Sequence, residues 1–229
     1  MNNAYLRLAP LFFYLLSAPL RALDFAPQES WRMLEGVRLP VVMFTDPIGK
    51  IRYQPPGGWN YNGGGPIFTL YPPKSNGAFM KIQVLGHAKG TPEITDLASD
   101  ELAKWCQHYL ADDAQETKLT AENPSPFMLD GKPSREFVFE YKSSGQRYQT
   151  SVAVMDWNDH EHLAVIITSL DADFKGIHNI GIGSLFSWSV RKTETAAAQA
   201  TPTPSPAATD TVAAGPSAPG PTPIKAISR

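Results

Sequence analysis

An α+β fold, an antiparallel β-sheet flanked by helices, is predicted for the middle of this 229-residue chain. Three observations predict it. Apolar and polar residues alternate over several short stretches. The period changes to helical spacing after Thr91, and the later stretches are joined by hairpin-length turns. Hairpins join antiparallel strands, so a doubly wound parallel sheet is excluded, and no glycine-rich nucleotide loop is present. The two faces of such a sheet need cover, and one helix is available for each.

The ends of the chain read differently from its middle. Arg7, the apolar stretch Leu8 to Leu16, the small residues Ser17-Ala18 and a cut after Ala22 follow the order of a secretory signal peptide. The stretch is shorter than the roughly 20 residues a bilayer span needs. From residue 193 onward Ala, Thr, Pro, Ser and Gly dominate and aromatics vanish, so residues 193–229 are expected to be a disordered tail. One globular domain is left, over residues 23–192. Its single cysteine, Cys106, excludes an internal disulfide. The formal net charge is -2 and Lys and Arg are scattered, so no basic stripe points to nucleic acid or to an anionic membrane surface.

Within the domain, the first portion is irregular, with Trp31, Val37, Leu39, Val41, Val42 and Phe44 as anchors. Ile51 and Tyr53 begin the alternation, which Pro55-Pro56-Gly57-Gly58 stops. Gly63-Gly64-Gly65-Pro66 reads as a loop and Ile67 to Tyr71 as a short strand. From Phe79 to Leu85, Met80, Ile82 and Val84 share one face. Thr91 reads as an N-cap ahead of Pro92, and Ile94, Leu97, Ala98, Leu102, Trp105, Tyr109 and Leu110 recur at helical spacing up to about Ala111. Three strands follow, at Arg135–Tyr141, Tyr148–Trp157 and Leu163–Leu170. Ser143-Ser144-Gly145-Gln146 and Asn158-Asp159-His160-Glu161 are the turns between them. Asp171 to Val190 reads as a closing helix, weakened by Gly176, Gly181 and Gly183.

Several of these local patterns resemble the PsbP-like superfamily, which includes the photosystem accessory subunit PsbP and the bacterial envelope protein DcrB. The matching residues are Tyr53-Gln54-Pro55-Pro56-Gly57-Gly58-Trp59 before the fold's strands, the turn Asp130-Gly131-Lys132-Pro133-Ser134-Arg135, and Phe174 through Ser184-Leu185-Phe186-Ser187-Trp188 at the close. The resemblance covers about residues 51–190. It implies a PsbP-like α/β/α sandwich and a non-catalytic accessory or binding role, and it carries no functional residue across.

The candidate sites are few. His160 and His162 stand two apart, so on a strand they would share a face and could chelate a divalent ion. Asp156, Asp159 or a remote His87, His108 or His178 would supply the third ligand. The competing reading is a solvated hairpin tip. Tyr53, Trp59, Tyr61 and Tyr71 surround the Gly/Pro-rich loops, either as a partner- or ligand-binding mouth or as packing at the sheet edge. Cys106, beside Trp105, reads as a buried structural thiol. No nucleophile-elbow pattern surrounds a serine, and Asp112-Asp113 reads as a solvated pair ending the helix.

The leading expectation is an exported, non-enzymatic accessory or protein-binding domain of the cell envelope, periplasmic or extracellular. It needs no cofactor and no nucleic acid, and its partner is another envelope protein. A small-molecule or lipid binder and a metal-dependent enzyme using His160 and His162 are the alternatives.

Overall fold

The computed structural model describes residues 23–86 and 92–192. The leader, the tail, His87 and the Thr91 cap lie outside the described residues.

The described residues form eleven strands, two α-helices and two single-turn 3-10 helices, Ile94–Asp96 and Gln107–Tyr109. Strands β1 (Asp24–Leu34) and β2 (Val37–Asp46) form a hairpin about Glu35-Gly36, both at positive φ (48° and 82°), the geometry of a type I′ turn. Then come β3 (Gly49–Tyr53), β4 (Asn60–Gly64), β5 (Ile67–Tyr71) and β6 (Phe79–Gly86). Helix α1 (Ser99–Cys106) precedes a meander of β7 (Gln115–Leu129), β8 (Lys132–Ser143), β9 (Gln146–Asn158) and β10 (Glu161–Leu170). Helix α2 (Asp171–Leu185) and β11 (Ser189–Lys192) close the domain. The strands build a seven-stranded sheet, in order β4-β5-β6-β10-β9-β8-β7, and a four-stranded sheet, β1-β2-β3-β11. Every pair in both is antiparallel.

Alternation decides what each face of the larger sheet buries. Met80, Ile82, Val84, Leu163, Val165 and Ile167 pack with Ile177 and Leu185 of α2 and with Phe25, Phe44, Ile51 and Tyr53 of the smaller sheet. Phe137, Phe139, Val152, Val154, Ala164 and Ile166 pack on the other side with Ile94, Leu102 and Cys106. Strand β10 lies between both cores, which is why its sequence is a continuous apolar run and not an alternation.

The layering therefore corrects the simple α/β/α expectation. Helix α1 covers one face, but α2 shares the other with a second sheet that the irregular reading of the first portion missed. Val41, Val42 and Phe44 are buried as expected, whereas Trp31 and Val37 are exposed, because their end of the hairpin runs past the core. Gly63 and Gly64 belong to β4 and not to a loop. A Cβ on Gly63 would lie 2.5 Å from the Phe25 carbonyl oxygen and 2.6 Å from the Phe68 ring, so glycine is what lets β4 pass beneath β1.

The helix expected from Pro92 to Ala111 is shorter. Arg135 donates hydrogen bonds to the carbonyls of Ile94 and Leu97, and Ile94 N–H is taken by the Asp156 carboxylate, so residues 92–98 are held outside the α-helix. The Asp112-Asp113 pair lies beyond the helix, and Asp113 is not simply solvated: it accepts hydrogen bonds from Ser143 and Ser144 at the β8–β9 turn. Strand β7 was hidden by Pro124 and Pro126 and by its exposed edge position, with only Phe127 and Leu129 buried. The closing helix ends at Leu185, and residues 189–192 are strand. Gly181 faces the sheet, where a Cβ would stand 2.9 Å from Ile167 Cδ1 and 3.2 Å from Met80 Sδ.

Candidate binding site

Two clefts and one polar tip bring together the side chains that the sequence singles out. The Trp59 cleft is built where the loop after β3, the loop after β5 and α2 meet. It encloses about 430 Å³ and is lined by Trp59, Pro72, Pro73, Gly176, Ile177 and Ile180, with Lys74 and Asp173 adding one charge of each sign. The prolines stop β5 and leave the wall, and Gly176, with no atom within 4 Å of a Cβ position, keeps the α2 side low. Ile180 is 52% exposed, an apolar side chain free for contact.

The other three aromatics do not share that cleft. Tyr53 is fully buried in the core between the sheets, 2.6 Å from Ser184 Oγ through its hydroxyl. Burial pushes that hydroxyl well above the usual tyrosine range, against the opposing pull of the Ser184 hydrogen bond. Tyr61 is half-buried on Phe68, and its hydroxyl donates to Glu29 across 3.4 Å. Tyr71 is exposed on β5, paired with Asn60. Two segments that carry the family resemblance prove to be each other's partners. Gln54 N–H donates to Ser187 Oγ at 2.8 Å, and the Trp188 ring lies 5.9 Å from that of Tyr53. These residues hold the fold together, and Trp59, itself buried in the same core, is the one of the four that also lines a cleft.

The β9–β10 tip separates its two histidines. His160 is exposed in the turn, where its N–H donates to Asn158 Oδ1 at 2.9 Å. His162 is buried, its Nδ1 2.9 Å from Asp156 Oδ1, and a register shift between Glu161 and His162 breaks the simple alternation. Asp159 is exposed in the turn. His108 bonds the Trp105 carbonyl, and His178 lies on α2 against Glu136, across the sheet from His162. Among the described residues no group of three or more His, Cys, Asp or Glu side chains could hold a metal ion.

Beside His162 is the second cleft, about 340 Å³ between β6 and the α1 side, lined by Leu85, Pro92, Ile94, Leu97, Trp105 and His162. Cys106 stands behind it, fully buried, and burial pushes its thiol up to about 12. A thiol in that state is not a nucleophile at neutral pH. It is expected not to react with an aromatic disulfide reagent until the domain unfolds. Stoichiometric release of the coloured thiolate from native protein within minutes would contradict this placement.

Sequence reasoning missed two polar hubs. Arg135 ties β8 to the segment before α1 and pairs with Glu122 at 3.1 Å. Glu136, its neighbour, points to the opposite face and is buried, where it accepts hydrogen bonds from His178 (2.6 Å), Asn123 (2.6 Å) and Ser151. Their positions within a strand carry the signal: adjacent charged residues amid Phe137, Val138 and Phe139 must serve two different faces.

No family model matches the chain, and no curated protein does. Solved structures do. The PsbP protein of the cyanobacterium Synechocystis is 12% identical over 62% of this chain and 86% of its own, with a TM-score of 0.44. A Pseudomonas aeruginosa protein of unknown function is 13% identical over 72% and 99%, with a TM-score of 0.42. A Bacteroides thetaiotaomicron structure is 13% identical over 62% of this chain and 45% of its own, with a TM-score of 0.39. No helix among the described residues is long and apolar enough to cross a membrane.

Proposed function

We propose that the chain is an exported, non-enzymatic accessory domain of the cell envelope that holds another protein in the Trp59 cleft. The cleft carries this reading. It is open, walled by proline and aliphatic side chains around one indole, and flanked by Lys74 and Asp173, the mixture of apolar anchor and polar surround found where proteins dock. Residues 1–22 supply the export signal, and the tail from residue 193 serves as a spacer. No cofactor enters the reading.

Two measurements test it. N-terminal sequencing of protein recovered outside the cytoplasm is expected to start near Leu23; a chain starting at Met1 removes the export claim. A photo-crosslinking residue at Lys74 in cells is expected to trap one defined protein, and Ile180→Ser, at the exposed position of the cleft, is expected to weaken the adduct about tenfold, as loss of an anchor worth about 1.4 kcal/mol does. Crosslinks that Ile180→Ser leaves unchanged would defeat the reading.

The second cleft supports a different reading. Its 340 Å³ and its Trp105, Ile94, Leu97 and Leu85 walls suit a small, mainly apolar ligand, with His162 and Glu101 as the polar groups that orient it.

A further inference from the structure

Four cations that stand far apart in the chain are gathered by the register of the smaller sheet. Cross-strand partners share a face. Gln28 pairs with Met43 and Arg32 with Leu39, Met43 pairs with Arg52 and Thr45 with Lys50, and Arg52 and Lys50 pair with Ser189 and Arg191. Arg32, Lys50, Arg52 and Arg191 therefore stand on one face, opposite the face from which Phe44, Ile51 and Tyr53 enter the core. Burial, then the charges of Arg191 and Arg32, hold Arg52 below the usual arginine value, so these guanidiniums sense one another. None of the ion pairs among the described residues involves any of the four. Asp24 reaches the same face by register, but its carboxylate is turned to the amides of Ala26 (3.0 Å) and Gly65 (2.8 Å).

The same sheet runs on past the core as an arm. From Glu29 to Pro40 no residue is buried, and Trp31 (62%), Met33 (60%), Val37 (59%) and Leu34 (45%) are exposed. By register Trp31, Met33 and Pro40 occupy one side of this ribbon, and Leu34, Val37 and Leu39 the other, which Arg32 shares. An apolar surface on both sides does not suit a one-sided protein groove. It does suit the boundary between lipid headgroups and acyl chains, which surrounds whatever enters it. Tryptophan favours that boundary, and Arg32 and Arg38 can extend from it to phosphates. Glu35 stands at the apex of the arm, where its carboxylate disfavours entry beyond the headgroups.

We propose that the outer face of the four-stranded sheet and the β1–β2 arm together dock on an anionic lipid bilayer. The claim is independent of the Trp59 cleft, which lies on other elements.

Sedimentation of the full-length protein with vesicles tests it, using phosphatidylcholine alone and phosphatidylcholine with added phosphatidylglycerol. Partitioning is expected to rise with phosphatidylglycerol and to fall as salt is added. Lys50→Glu, Arg52→Glu and Arg191→Glu combined are expected to lower it at least a hundredfold, at about fivefold for each cation removed. Trp31→Ser with Met33→Ser is expected to lower it about tenfold, as loss of buried apolar surface does. The apolar stretch before Ser17 is common to all these proteins, so differences between them report on the sheet and arm. Thermal melts identify any variant that fails to fold, and the salt dependence of the parent needs no variant. Equal partitioning onto the two vesicle types overturns the proposal. So does a folded charge-reversed protein that binds as the parent does, or an acidic protein held by this face in the absence of vesicle binding.

Discussion

Replacing Phe44 by alanine is expected to destabilise the domain by about 3–5 kcal/mol, as large-to-small changes of a buried aromatic do. Phe44 has no exposed surface, and its ring meets Phe25 at 5.0 Å and Phe68 at 4.9 Å, both edge-on. Tyr53 and Trp188 lie farther out, at 6.4 Å and 6.1 Å. These rings come from β1, β3, β5 and the turn between α2 and β11, so one side chain joins the two sheets. The cavity left by alanine cannot close without moving both, and that is why the upper half of the range is expected. Urea unfolding followed by circular dichroism measures it. A loss below about 1 kcal/mol would mean that the four-stranded sheet does not pack on the larger one as described.

The second large effect concerns Glu136. Burial pushes its carboxyl up, but hydrogen bonds from His178, Ser151 and Asn123 outweigh burial and hold it below the usual glutamate range. A depressed carboxyl contributes stability that is present above its unfolded value and is lost as pH falls through its folded value. The parent is therefore expected to hold its stability down to about pH 4.5, the ordinary glutamate range, and to lose part of it below. Glu136→Gln is expected to flatten that acid limb. His178→Ala at neutral pH strips the buried carboxylate of one donor and is expected to cost about 3 kcal/mol, the lower end for breaking a buried pair because two donors remain. Melts from pH 3 to pH 8 check both, and parallel acid limbs in the parent and Glu136→Gln would show that Glu136 is not the titrating group.

What the sequence made legible follows from how local its causes are. Met80, Ile82 and Val84 alternate because one face of their strand is buried and the other is not. The Ser144-Gly145 turn is written in residues that tolerate positive φ (50° and 78°). Helix α2 declares itself by Phe174, Ile177 and Leu185. The second sheet was not legible, because β1 and β2 leave the core midway and their outer residues carry no burial pattern. The same is true of the sites. Trp59 stands out as an aromatic among turn formers, but its cleft needs Ile177 and Ile180 from a distant helix. Cations that look scattered along the chain converge only through strand register, so composition alone misses the basic face.

Strand β11 gives the domain an order of assembly. Among the described residues its sheet partner is β3 alone, so Ser189 meets Arg52 and Val190 meets Ile51 across most of the length of the domain. While the chain is being made, β1 to β3 emerge early and must wait for the last described residues before their sheet is complete. Such distant pairing closes a long loop before any contact rewards it, which slows folding. A ribosome-bound chain that stops short of Ser189 is left with a three-stranded edge at β3. That unfinished edge is where a nascent copy would be open to a chaperone, or to another chain.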